Sequence, residues 1–162
     1  METHQLLALQ FGTNLLTYTC VLVWFVWPRL RGLPREEALV PLIMAHTIRT
    51  LGLFAMMPSF SGAEVARSTW ARHVVFGDLT AVLLALVAVG LLRRRHRFGL
   101  AAAWVFNVWG AADVLNAGTN AVREEIALRI VGPHVAVIGF GVPLLVVTHA
   151  AIFVILASRR AD

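Results

Sequence analysis

Five apolar runs, at 6–27, 38–57, 74–92, 100–121 and 135–158, take up most of the 162 residues. A hydrocarbon core about 30 Å thick is crossed by a helix of about 20 apolar residues. Inside lipid a backbone must satisfy its own polar groups, and a single helix does so without partners. The runs therefore predict an all-α fold: an integral membrane bundle of five transmembrane helices, forming one domain over residues 1–162. Pro28, Pro58 and Pro133 follow runs one, two and four, where proline stops a helix. The first run lacks a basic lead segment and a small-residue cleavage site, and it is too long for a signal core. It is expected to be retained as a span.

The net charge is +5, and all fourteen basic residues are arginine. On a soluble domain such a charge would suit nucleic acid. Here most of the arginines sit in short gaps between apolar runs, so they mark topology and nucleic acid is not expected as a partner. Arg29, Arg31, Arg35, Arg93, Arg94, Arg95, Arg97, Arg159 and Arg160 fall on one side; Arg67, Arg72, Arg123 and Arg129 fall on the other. Cytoplasmic loops carry the excess of arginine, which places the N-terminus outside and the C-terminus in the cytoplasm. The absence of lysine excludes Schiff-base chemistry. A lone Cys20 cannot form an intrachain disulfide and reads as a small hydrophobe.

Two connectors carry helical signals. "SGAE" has the form of a capping box, with Ser61 as N-cap and Glu64 three residues on, so helix three is expected to start before the membrane. "REEIALR" puts Glu125 four residues before Arg129, so helix four is expected to continue to Gly132–Pro133.

Ionisable groups inside spans are costly, and each is a candidate for function. Span two holds His46 and Arg49, span three Asp78, span four Asp113 and span five His149. His46 and Arg49 share a helix face, being three apart. Gln10, Asn14 and Thr17 form a second stripe, and Trp109, Asp113, Asn116 and Asn120 a third. Asn107 lies opposite that third stripe and suits a helix–helix hydrogen bond, while Gly110, Ala111, Ala112, Ala117 and Gly118 permit close approach. At about 1.5 Å per residue, Arg49 lies near the midplane, Asp78 and Asp113 in the outer half, and His46 and His149 below. The stripes predict a polar pocket opening outward.

One arginine cannot neutralise two carboxylates. If the three share a cavity, Asp78 and Asp113 are expected to hold one proton between them, one acting as general acid and the other as base. Arg49 would hold an anionic group or steady the acids, and His46 would relay protons. Asn116, Asn14, Trp109, Asn120, Gln10 and His149 would shape the binding site. No paired histidine boxes, HExxH, GxSxG or Walker lysine occurs, and neither a metal nor a cofactor is expected. An alternative gives His46 and His149 to a haem as axial ligands, with Arg49 near a propionate.

The segments "HTIRTLGL", "FGDLTAVLLALVA", "FNVWGAADVLNA" and "VPLLVVTH" resemble a group of small, uncharacterised bacterial multispanning membrane proteins. That resemblance covers most of residues 40–150 and implies a multi-pass protein of the bacterial inner membrane, with no activity to carry over. The favoured reading is a pocket for a small amphipathic or lipid-like molecule, with acid–base chemistry of the isomerase, cyclase or hydratase kind. Its partners would be membrane lipids and that lipophilic ligand. The rival is a proton-coupled transporter or channel, for which so short a chain would assemble as a homo-oligomer.

Overall fold

The computed structural model describes residues 3–158, so Arg159 and Arg160 of the topology count lie outside the described residues. Those residues are helical with short connectors, and no strand occurs among them. Helix α1 (Thr3–Val21) runs through a π-helical turn (Leu22–Val26) into α2 (Trp27–Leu30). Helix α3 (Arg35–Met44) passes into a 3₁₀ coil (Ala45–Met56). Two short helices, α4 (Pro58–Ser61) and α5 (Ala63–Arg67), lead to α6 (Thr69–Arg93) and α7 (Gly99–Arg123). After α8 (Ile126–Arg129) and α9 (His134–Ala136), a π-helical turn (Val137–Gly141) opens α10 (Val142–Ala157).

Among the described residues, four continuous segments are long and apolar enough to cross a membrane: His4–Leu30, Arg35–Met56, Thr69–Arg93 and His134–Ala157. The fifth expected span, 100–121, is the exception. Helix α7 matches α6 at 25 residues, but Asn107, Asp113, Asn116 and Asn120 dilute its apolar character.

Local chemistry explains where helices begin and end. Pro41 inside α3 removes a backbone donor, and four residues later the coil tightens to 3₁₀. The tightening shows in the side chains too. Thr47 and Thr50 hydroxyls donate three residues back, to the Met44 and Thr47 carbonyls, whereas Thr17, Thr80 and Thr119 on α-helices reach four back.

Both connector expectations need correction. Ser61 does not cap a helix start; it closes α4, and its hydroxyl donates to the Ala55 carbonyl at 2.8 Å. The start of α6 is capped by Ser68, whose Oγ accepts from the Ala71 amide at 3.0 Å. Ser68→Ala should cost about 1 kcal/mol, read as a lower midpoint of denaturant unfolding in detergent. Helix α7 does not reach Gly132–Pro133 either. Glu125 turns to φ +51°, which ends the helical run, and Arg129 bonds to the Glu124 carbonyl instead of pairing with Glu125.

The packed interior is layered along the bundle. At one end Leu39, Ile43, Ala88, Phe106, Ile152 and Ile155 form an apolar cluster. At the other, Ala55, Val65, Trp70, Val74, Ile126 and Ile130 form a second. Between them lies a belt of buried polar groups, including His46, Arg49, Asn107, Thr148 and His149.

Candidate functional site

Residues three apart in an α-helix are offset by about 60° around the axis, whereas in a 3₁₀ coil they stack. His46, Arg49, Gly52 and Ala55, all buried, therefore form one column on the coil Ala45–Met56. Arg49 is its centre. Its Nε faces Asp78 Oδ1 on α6 at 3.3 Å, and its Nη1 faces Asp113 Oδ2 on α7 at 3.2 Å. These are contacts of opposite charge without hydrogen-bond alignment. Nη2 donates to the Gly110 carbonyl at 3.2 Å. One guanidinium thus ties three elements together and engages both acids at once.

Each acid rests on a glycine of a neighbouring element. A Cβ at Gly52 would come within 2.9 Å of Asp78 Cγ, and one at Gly77 within 2.8 Å of Asp113 Oδ2. At Gly110 it would meet His149 Cε1 at 2.6 Å. Such gaps let backbone and polar side chain approach closely, as small residues do between membrane helices.

Behind Arg49 the two histidines pack together, ring centroids 4.2 Å apart. Asn107 Nδ2 donates to the His149 carbonyl at 3.2 Å, and Asn107 Oδ1 lies 2.7 Å from His149 Nδ1. The amide oxygen can only accept, so His149 carries a proton on Nδ1; its Nε2 has no hydrogen-bond partner. This is the helix–helix bond expected of Asn107. His46 Nε2 lies 2.9 Å from Thr148 Oγ1, which also lies 2.8 Å from the Leu144 carbonyl oxygen. His46 Nδ1 is left without a partner. A haem does not fit this arrangement. Two axial imidazoles must lie on opposite sides of the macrocycle, and rings this close leave no room for one between them.

Beside the Arg49 cluster lies a cavity of about 420 Å³, within the usual range for small-molecule sites. Phe11, Val74, Val114, Ala117, Phe140 and Leu145 give it mostly apolar walls. Arg49, Asp78 and Asp113 form its charged end. Trp70 and His134 also line it: their rings meet edge-on at 6.1 Å, and Trp70 Nε1 donates to the Ala117 carbonyl at 3.0 Å. His134 is 1% exposed, and its Nδ1 has no hydrogen-bond partner. Trp70 and Asp78 lie eight residues apart on α6, about 12 Å, so the cavity has two separate polar ends.

The structure brings together Arg49, Asp78 and Asp113, with His46 and His149 directly behind. It does not bring in the amide stripes. Asn116 and Asn120 bond to each other at 3.0 Å on the exposed side of α7, and Trp109 is exposed beside them. The inner wall of α7 is Asp113, Val114, Ala117, Gly118 and Ala121, about a quarter turn from the expected stripe, with Asp113 at its edge. Asn14 donates to the Gly139 carbonyl at 3.0 Å, and Gln10 packs on that same glycine. Both amides fasten α1 to the Val137–Gly141 turn and do not line the cavity.

Sequence reasoning missed His134, Trp70 and the seats at Gly52 and Gly77, while Gly110 was among the residues expected to permit close approach. His134 stood just beyond Pro133, in what read as a connector. The Gly77–Asp78 dipeptide was the one available hint, a small residue beside an intramembrane acid.

A family model described as "Domain of unknown function (DUF8737)" matches residues 6–157. The chain belongs to that family. DUF8737 is thereby the frame for nearly the whole described bundle, from α1 to α10. No curated protein and no solved structure matches the chain.

Proposed function

We propose that this DUF8737 protein is a five-span protein of the bacterial inner membrane whose cavity binds a small amphipathic or lipid-like molecule. The observation that carries this reading is the cavity itself: apolar walls ending on a buried Arg49 flanked by two carboxyl groups. An amphipathic molecule has the same division between body and head. With α7 counted as the fifth span, the arginine-rich loops after α2 and α6 lie at the cytoplasmic end. The cavity then belongs to the outer half, reached from outside.

One guanidinium and two carboxyls leave one positive charge missing in an apolar setting, and a proton supplies it. Asp78 and Asp113 sharing that proton against the cavity form an acid–base pair, which suits an isomerisation, cyclisation or hydration of the bound molecule. Conduction is less well supported. Beneath His46 and His149 the described residues form the apolar cluster around Leu39, Phe106 and Ile152.

Native mass spectrometry of protein extracted in native-lipid discs tests the binding. A small lipophile should accompany the wild type and be lost from Val114→Trp, which fills the cavity, while the helical circular dichroism signal is kept. Equal retention of the molecule by both proteins would place it elsewhere.

A further inference from the structure

The cavity offers acceptors and almost no donors at its charged end. The Arg49 side chain is 1% exposed, whereas those of Asp78 and Asp113 are 15% and 13% exposed. The guanidinium is already turned to the two acids and the Gly110 carbonyl. So deeply buried, it offers almost no surface to an anionic group, contrary to the role its charge suggested from sequence. What a molecule in the cavity meets is carboxylate oxygen.

From this geometry we infer that the ligand is a cationic amphiphile, an amine on a compact apolar body, whose ammonium group docks on Asp78 and Asp113. The inference rests on the cavity reading above and specifies its ligand. Charge is the first reason. Arg49 balances one carboxylate only, and burying the other uncompensated is costly. In the empty cavity the shared proton makes up the difference; a monocation displaces it and keeps the site neutral, and its N–H groups make charge-assisted hydrogen bonds to the oxygens that face the cavity. An anion would add an uncompensated charge.

The walls give the second reason. Trp70, Phe11 and Phe140 supply aromatic surface to an apolar body. The third is at the other end. His134 is buried against Trp70 with Nδ1 unpartnered, so a molecule reaching both ends carries a second polar atom remote from its amine.

The test is a matched series of rigid probes on the full chain in lipid discs: 1-adamantylammonium, 1-adamantanol and 1-adamantanecarboxylate. Binding is read by calorimetry for the wild type, Asp113→Asn and Val114→Trp. The ammonium should bind the wild type at least about tenfold tighter than the alcohol, as one charge-assisted hydrogen bond implies, and the carboxylate should not saturate. Asp113→Asn should bring the ammonium to the level of the alcohol and leave the alcohol unchanged; Val114→Trp should abolish both. If Asp113→Asn fails to fold, the wild-type order of the three probes decides. A carboxylate that binds as tightly as the ammonium, with both lost in Val114→Trp, overturns the cationic ligand and leaves the cavity reading intact. No saturable binding of any probe overturns both.

Discussion

Arg49→Met should be the most damaging single change in the chain, lowering stability by about 3–5 kcal/mol. The substitution keeps much of the side chain's bulk and removes its charge, so the loss is electrostatic. Asp78 and Asp113 each lie against Arg49, at 3.3 and 3.2 Å, in a layer walled off by apolar clusters on both sides. Without the guanidinium the carboxylate charge left beside the shared proton has no counter-charge. The same change in Arg49→Met/Asp78→Asn/Asp113→Asn should cost much less than the single substitution, because the uncompensated charge goes with the carboxyl groups. Unfolding in mixed micelles, followed by circular dichroism, gives both values. Equal losses would mean that Arg49 acts through packing alone.

A pair of glycine substitutions on one helix should move in opposite directions. Gly77 and Gly90 both lie within α6. A Cβ at Gly77 would press on the Asp113 carboxylate, while one at Gly90 would meet nothing within 4 Å. Gly77→Ala should therefore cost about 1–3 kcal/mol, as overpacking does, and displace Asp113 from Arg49. Gly90→Ala should stabilise by about 0.5–1 kcal/mol, since alanine loses less backbone freedom in a helix. Thermal unfolding of the two variants side by side checks the contrast. Two shifts of the same sign would show that the seat under Asp113 yields.

Much of the site was legible in the sequence because intramembrane charges have few reasons to exist. Arg49, Asp78 and Asp113 stood out on three separate runs, and the structure joins them. Asn107 was separable from the other amides by phase alone. What escaped was the facing of helix α7. Its polar residues suggested that the stripe Trp109–Asp113–Asn116–Asn120 points inward, yet the inward face belongs to Gly110, Ala117 and Ala121. Helices that must approach closely turn their small residues to each other, and amides that can bond along their own helix, as Asn120 does to Asn116, need no partner from outside. Local backbone deviations escaped too. Nothing in "AHTIRTLGLFAM" announces a 3₁₀ coil, although its buried residues recur every third position.

That coil also acts as a ruler. Twelve residues rising about 2.0 Å each cover about 24 Å, where an α-helix would cover about 18 Å. Wound as α-helix, Ala45–Met56 would be about 6 Å shorter, and Arg49 would swing about 60° away from the line through His46. The guanidinium could then no longer stand between α6 and α7 while His46 kept its place against Thr148. The register of the coil, which keeps His46 and Arg49 in one line, is what lets a single segment serve the histidine layer and the carboxylate layer together.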